Sequence, residues 1–267
     1  MENTSVLRGA GILVTRPAHQ SETLCRAVVA AGGFVVALPT IDIVAIADVA
    51  QRPPWLDHLT KCDIAIFISA NAVQFGIDAA EGNEPWPERI RIGAIGKSTA
   101  EALKRRGLEV HVFPRSEWNS EGLLKEAELT DVTNKRIIIF RGVGGRELIA
   151  DVLRQRGAQV EYAEVYRRAV PSYSLHERIS AQEKNKINVV VATSNEGLAN
   201  LVTLAGEKDR DWLLSRDLVV VSDRGAELAR RLAFKKPAWI SDQATDSAIM
   251  QTLCQWQKQQ IESREKT

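Results

Sequence analysis

The chain has 267 residues, 45% of them hydrophobic and 26% charged, which fits a folded globular protein and excludes a disordered or fibrous one. Lys plus Arg number 35 against 34 Asp plus Glu, so the net charge of +1 lacks the basic excess of a protein that binds nucleic acid by neutralising phosphates. At roughly 100–200 residues per domain, the length allows one large domain or two small ones. Cys25, Cys62 and Cys254 lie far apart, with no Cys-x-x-Cys pair, and the four histidines are isolated. That usage fits a reducing compartment and predicts neither a disulfide framework nor a metal site. No apolar run approaches the ~18–20 residues of a membrane span, and Met1–Gly11 does not read as a secretory signal. A cytoplasmic protein without membrane or nucleic-acid partners is expected.

Ile12–Thr15 is a β-branched run suited to a buried parallel strand. A helical pattern follows Arg16-Pro17 and stops at Gly32-Gly33, and Phe34–Leu38 is the next strand. The segment from 44 to 56, with Pro53-Pro54, reads as a linker. Ile64–Ile68 is a strand, and Ser69-Ala70-Asn71 opens a helix. The segment from 83 to 89, with Pro85 and Pro87, reads as a surface loop. Ile92–Ile95 is a strand, Gly96-Lys97-Ser98-Thr99 opens a helix, Val110–Phe113 is a strand, and Asn119–Gly122 opens another helix. Further on come strand Ile137–Phe140, helix Glu147–Gln155 and strand Val160–Tyr166. The polar stretch from 169 to 186 reads as a second linker. Strand Val189–Ala192, helix Glu196–Leu204, strand Leu218–Val221, helix Ala226–Leu232 and strand Ala238–Ile240 follow. The residues from Gln255 onward read as a frayed, polar helix end. Strands alternating with helices predict βαβ units and parallel sheets.

The pattern repeats. Arg16 and Arg141, Gly32 and Gly157, Val35 and Val160, and Ser69 and Ser194 each lie 125 residues apart, and Ala100-Glu101 matches Ala226-Glu227 at 126. The chain therefore reads as two copies of one α/β unit, with a cleft expected between them. Ligands of open α/β sheets sit beyond the carboxyl ends of the strands. The loops at those ends are short, rich in Ser, Thr, Asn and Gly, and precede helices whose N–H groups and dipoles suit anions. Arg16, Lys97, Arg141 and Arg146 fall among them. A polyanion is the expected ligand, and Arg would add bidentate carboxylate contacts.

Individual signals are weaker. Arg141-Gly-Val-Gly-Gly-Arg146 matches neither a dinucleotide fingerprint nor a P-loop. Ser69, Thr99, Ser120 and Ser194 are natural N-caps, a role compatible with facing a ligand. Tyr166 is either a half-buried strand aromatic or a phenol able to donate a proton to a leaving oxygen. There is no Ser/His/Asp set and no nucleophile elbow, so an enzyme built this way would work by positioning and electrostatics.

Several stretches together resemble the uroporphyrinogen-III synthase family. They are Ile12-Leu-Val-Thr-Arg-Pro17, Pro39-Thr40-Ile41, Ser69-Ala70-Asn71-Ala72-Val73, Ala94-Ile95-Gly96-Lys97-Ser98-Thr99-Ala100, Ser120-Glu-Gly-Leu-Leu124, Arg141–Arg146 and Val165-Tyr166-Arg167-Arg168. The likeness spans about Ile12 to Leu253. It implies an α/β fold of two similar lobes, each a parallel sheet flanked by helices, joined by a two-stranded linker. One lobe would hold 1–38 plus 172–267 and the other 45–165, with connecting strands at 39–44 and 166–171. It also implies a monomeric cyclising hydro-lyase without metal or cofactor. Its substrate would be hydroxymethylbilane, a linear tetrapyrrole polycarboxylate, and its product uroporphyrinogen III with ring D inverted. Transient contact with the preceding pathway enzyme is part of that expectation. Tyr166 matches the tyrosine expected to assist departure of the hydroxyl. Arg16, Ser69, Ala70, Lys97, Thr99, Arg141, Arg146 and Ser194 are the expected substrate contacts. Two departures stand out: Ile68 precedes the Ser-x-Asn turn where Thr is usual, and Ser222-Asp223-Arg224-Gly225-Ala226 carries Gly225 where the first copy has Thr99. The competing reading is a non-catalytic bilobal anion-binding protein or sensor.

Overall fold

The structure, a computed structural model, describes residues 5–46, 53–80 and 86–265. The expected linker at 44–56 and loop at 83–89 are therefore only partly covered, and their residues 47–52 and 83–85 lie outside the described residues. The elements in order are β1 (Gly11–Val14), α1 (Ala18–Ala30), β2 (Phe34–Ala37), β3 (Asp42–Ala45), α2 (Pro54–Leu59), β4 (Ile64–Phe67), α3 (Ala70–Ala80), β5 (Arg91–Ala94), α4 (Lys97–Arg105) and α5 (Ser120–Leu123). There follow β6 (Arg136–Gly142), α6 (Leu148–Gln155), β7 (Gln159–Ala169), α7 (Leu175–Arg178), α8 (Ala181–Lys186), β8 (Val189–Val191), α9 (Asn195–Leu214), β9 (Asp217–Val220), α10 (Asp223–Arg231), β10 (Trp239–Ile240) and α11 (Asp246–Glu265).

The chain divides into two compact units, residues 1–42 with 169–267, and residues 43–168. The first unit holds a sheet of strand order β10-β9-β8-β1-β2, all pairs parallel. The second holds β3-β7-β6-β4-β5, parallel from β7 to β5. The crossings between units fall at 42/43 and 168/169, on β3 and β7, which are neighbours in the second sheet.

The repeat seen in the sequence reappears strand by strand. Shifted by about 125 residues, β1, β2, β4 and β5 fall on β6, β7, β8 and β9, and β2-β1-β8-β9 in one sheet corresponds to β7-β6-β4-β5 in the other. Each unit thus combines the βαβ opening of one repeat with the later strands of the other. The matching helix ends are built alike. Gly32 (φ +82°) and Gly157 (φ +86°) follow α1 and α6, where only a left-handed residue lets the chain reverse. In both, the next N–H reaches back five residues along the chain, Gly33 to Val28 and Ala158 to Leu153, each at 3.0 Å.

Period-two alternation explains the layers. Along β4, Ala65 and Phe67 face one cluster, while Ile64 and Ile66 face the other. Along β8, Val190 faces one side and Val189 and Val191 the other. Phe140 anchors the second unit, stacked on Phe67 at 4.5 Å and met edge-on by Trp55 at 5.0 Å. Such aromatic pairs add about 0.5–1.5 kcal/mol beyond burial.

Four expectations need correction. Val110–Phe113 is not a strand of its own: only Val112 pairs, as an isolated bridge to Gly93, before Pro114 ends the run. The stretch from 169 to 186 is not a bare linker but carries α7 and α8, each opened by a capping box, Ser174 with Glu177 and Ser180 with Glu183. The helix expected to stop at Leu204 runs to Leu214 across a kink at Gly206 (φ +54°). The C-terminal helix is not frayed from Gln255: Trp256 is buried with Leu24, Val28 and Leu253, and Gln257 donates to the Arg8 carbonyl at 2.9 Å.

Candidate functional site

Parallel strands put all their carboxyl ends on one edge of each sheet, so the loops after β4, β5 and β6 gather in the second unit, and those after β1, β8 and β9 in the first. The strand order reverses between β8 and β1 in the first sheet and between β6 and β4 in the second, the crevice where open α/β folds take ligands. Ser69 and Gly142 flank that point in the second unit, Arg16 and Ser194 in the first.

The second unit brings Tyr166 and Ser69 together. The Tyr166 hydroxyl lies 3.1 Å from Ser69 Oγ. Ser69 Oγ also accepts the Ala72 N–H at 3.0 Å, capping α3. Ala70 is the first residue of α3, half-buried, on the core side of this turn. The Tyr166 ring lies against the backbone of Gly142 and has the Phe75 ring 5.9 Å away.

The four basic side chains expected to serve one anion site divide into two kinds. Arg141 and Arg16, at equivalent places in the repeat, are buried and turned inward. Arg141 is 2% exposed, contacts Glu147 at 3.1 Å and the Gly142 carbonyl at 3.2 Å, donates to the Gly144 carbonyl, and stacks 4.4 Å over the Tyr162 ring. Arg16 donates to Asp246 and to the Ala244 carbonyl. Arg141 organises the loop beyond its own strand, and Arg16 the turn that opens α11. Lys97 and Arg146 are exposed. Lys97 Nζ sits 3.7 Å over the Trp118 ring, and Arg146 reaches Glu121 at 3.7 Å. Thr99, three residues past the Gly96 cap of α4, is buried.

Glu147 shows how the loop after β6 is held. Hydrogen bonds from the Tyr162 phenol and the Arg141 guanidinium keep its carboxyl below the usual range. The Tyr162 phenol is pushed up, first by burial and then by Glu147. A pocket of about 180 Å³ opens beside this loop, lined by Ile68, Ile95, Ile139 and Ile149, with Ser120, Arg141, Arg146 and Tyr162 supplying the polar groups. Another pocket of about 390 Å³ lies at the opposite end of the strands among His58, Lys61, Arg136 and Glu161, away from these loops.

In the first unit Ser194 Oγ accepts the Gly197 N–H at 3.0 Å, and Ser222 Oγ accepts the Gly225 N–H at 3.2 Å. The positions equivalent to Gly142 and Tyr166 are Pro17 and Ile41, so Tyr166 has no counterpart at the matching place in this unit. Asp223 opens α10 where Lys97 opens α4. Gly225 fits because a Cβ there would meet Val220 Cβ at 3.1 Å. Trp118 was missed by sequence reasoning. Its half-exposed indole beside Lys97 is invisible to periodicity, since it lies in a loop with no repeat counterpart. Among the described residues, no group of three His, Cys, Asp or Glu could hold a metal, and no helix is long and apolar enough to cross a membrane.

Comparison with known proteins decides the family. The profile described as uroporphyrinogen-III synthase HemD matches residues 22–251. The chain belongs to the uroporphyrinogen-III synthase family. It is 34% identical over 245 residues to the uroporphyrinogen-III synthase of Salmonella typhimurium, covering 91% of this chain and 99% of that one. The Escherichia coli synthase is likewise 34% identical, over 244 residues, with the same coverage. Among solved structures, a mutant synthase of the extremely thermophilic bacterium Thermus thermophilus superposes with a TM-score of 0.54 at 16% identity, covering 93% of this chain and 99% of that one. The Helicobacter pylori enzyme gives 0.54 at 15%, covering 91% and 97%. These two share the α/β fold, with parallel sheets flanked by helices.

Proposed function

We propose that this chain cyclises hydroxymethylbilane to uroporphyrinogen III with release of one water. Family membership over most of the chain supports this reading, and the Tyr166–Ser69 pair at the carboxyl edge of the second sheet carries it. The Tyr166 phenol gives its proton to the departing hydroxyl, which leaves as water and creates an azafulvene cation. The substituted carbon of ring D attacks that cation and forms a spiro centre. Cleavage of the bond from ring D to its original bridge and re-closure at the free position invert the ring. The proton lost when the pyrrole regains aromaticity restores the phenol. Ser69 Oγ–H, whose oxygen lone pair is already engaged by Ala72, steadies the transient phenolate.

Substrate carboxylates are held by the exposed cations Lys97 and Arg146, by the Ala70 N–H at the start of α3, and by the turns at Thr99 and Ser194. Arg16 and Arg141 act one step back, by shaping the loops. The unit of residues 43–168 performs the proton transfer, and the other unit binds. The protein acts as a cytoplasmic monomer that receives its unstable substrate by transient contact with the enzyme that makes it. The test is to supply freshly made hydroxymethylbilane and resolve the product isomers. Isomer III is expected, and isomer I alone at high protein concentration would leave the anion-binding reading in its place.

A further inference from the structure

We infer that Gly142 is a positioning residue that sets the height of the Tyr166 phenol, with the Phe75 ring as a second support. A Cβ built at Gly142 would lie 2.6 Å from Tyr166 Cε2, 2.7 Å from Cζ and 3.1 Å from Cδ2. Those contacts are far inside van der Waals distance, and they fall on the part of the ring that carries the hydroxyl. Gly142 has no need of glycine for its own backbone, because its φ is not positive. The missing side chain is therefore explained by the ring and not by the turn. The β6–β7 pairing supports this. Its register slips between Arg141 and Gly142, so that Gly142 faces Tyr166, and Val143 N–H then donates to the Tyr166 carbonyl at 2.9 Å. Gly76 lets α3 seat closely, since a Cβ there would meet Phe140 Cδ1 at 2.8 Å, and the neighbouring Phe75 ring on that helix lies 5.9 Å from the Tyr166 ring at a 32° tilt. The phenol thus rests against a bare backbone with a second ring nearby, its oxygen 3.1 Å from Ser69.

This inference rests on the reading of Tyr166 as the proton donor. The experiment is a double-mutant cycle on the full chain with hydroxymethylbilane. Gly142→Ala should lower kcat on the order of tenfold with KM changed by less than about twofold, because a sub-ångström to ångström misplacement costs the chemical step and not binding. In the Tyr166→Phe background, Gly142→Ala should cost almost nothing further, since there is no hydroxyl left to misplace. Wild-type kcat in Gly142→Ala, or a loss that multiplies undiminished with that of Tyr166→Phe, would overturn the inference while leaving Tyr166 in its role. Wild-type kcat in Tyr166→Phe itself would overturn the reading of Tyr166 instead. Should Gly142→Ala not fold, Phe75→Leu removes the neighbouring ring without adding bulk. Its kcat loss should likewise vanish in the Tyr166→Phe background, and a loss that persists there overturns the inference.

Discussion

Tyr166 Oη and Ser69 Oγ stand 3.1 Å apart although 97 residues separate them. The sheet order β7-β6-β4 makes the meeting possible, because the ends of β7 and β4 both reach the carboxyl edge with only β6 between them. Ser69 spends one lone pair on capping α3 and keeps its own proton available to Tyr166. In the proposed reaction, a phenol that gives up its proton would find a donor already in place, at no cost of reorganisation.

Replacing Tyr166 by Phe removes the hydroxyl and keeps the ring against Gly142 and near Phe75. General-acid assistance is typically worth about 10²–10⁴-fold, so kcat should fall by at least ~100-fold. Stability should change by no more than about 1 kcal/mol, the net worth of one partly exposed hydrogen bond. Single-turnover kinetics beside a urea titration measures both, and unchanged turnover would remove Tyr166 from the chemistry.

Ser69→Ala and Ser194→Ala lose the same kind of cap, so each should cost about 0.5–2 kcal/mol of stability. Their kinetics should part. Ser69→Ala lowers kcat, because it also loses the contact with Tyr166, while Ser194→Ala acts through KM alone. Equal kcat losses in the two variants would contradict the assignment of proton transfer to the unit of residues 43–168.

Arg141 and Arg146 lie at the two ends of one glycine-rich loop and should fail in opposite ways. Arg141→Met empties a 2%-exposed site of its contacts to Glu147 and to two loop carbonyls, and about 2–4 kcal/mol of stability should go with them. Arg146→Ala removes an exposed cation whose ion pair with Glu121 is weak, so the melting temperature should hold while KM rises. Thermal melts beside steady-state kinetics separate the two. A stable Arg141→Met with a raised KM would return Arg141 to the substrate.

Much of this architecture was legible in the chain, and the reasons are local. The strand runs are β-branched and bounded by Gly or Pro, and the 125-residue spacing survives because equivalent strands need equivalent helix ends, as at Gly32 and Gly157. What escaped reading depends on long-range contact. Trp256 lies in a polar stretch, yet its helix packs on α1, and one indole there outweighs the charged residues around it. The helices α7 and α8 were signalled by two Ser-x-x-Glu boxes, 174–177 and 180–183, which their polar surroundings obscured. Arg141 illustrates the opposite hazard. A basic residue in a glycine-rich loop looks like an anion contact, and only the fold reveals that its partners are the loop itself.

The same edge-to-interior logic gives Cys62 a measurable signature. The thiol precedes β4, buried at the amino end of the strands, where its Sγ contacts the Ile64 carbonyl at 3.1 Å. Burial pushes the thiol up to about 11, helped by the nearby carboxylates of Asp63 and Glu161 and opposed by backbone hydrogen bonds. In the unfolded chain a cysteine ionises near ~8.5. The folded state therefore favours the protonated thiol, and its contribution is complete below the unfolded value and lost as pH rises toward 11. At about 1.4 kcal/mol per pKa unit, and with half the folded thiols ionised at pH 11, the loss there amounts to about 3 kcal/mol. Other groups also titrate in that range, so the comparison must be with Cys62→Ala, which lacks the thiol but keeps everything else. Urea unfolding at pH 8 and pH 11 should show the wild type ahead at pH 8, with its lead shrinking by that amount at pH 11. A lead that stays constant would mean the thiol ionises alike in both states. Consistent with the raised value, Cys62 should resist alkylation at pH 8 in the folded protein and react once urea exposes it.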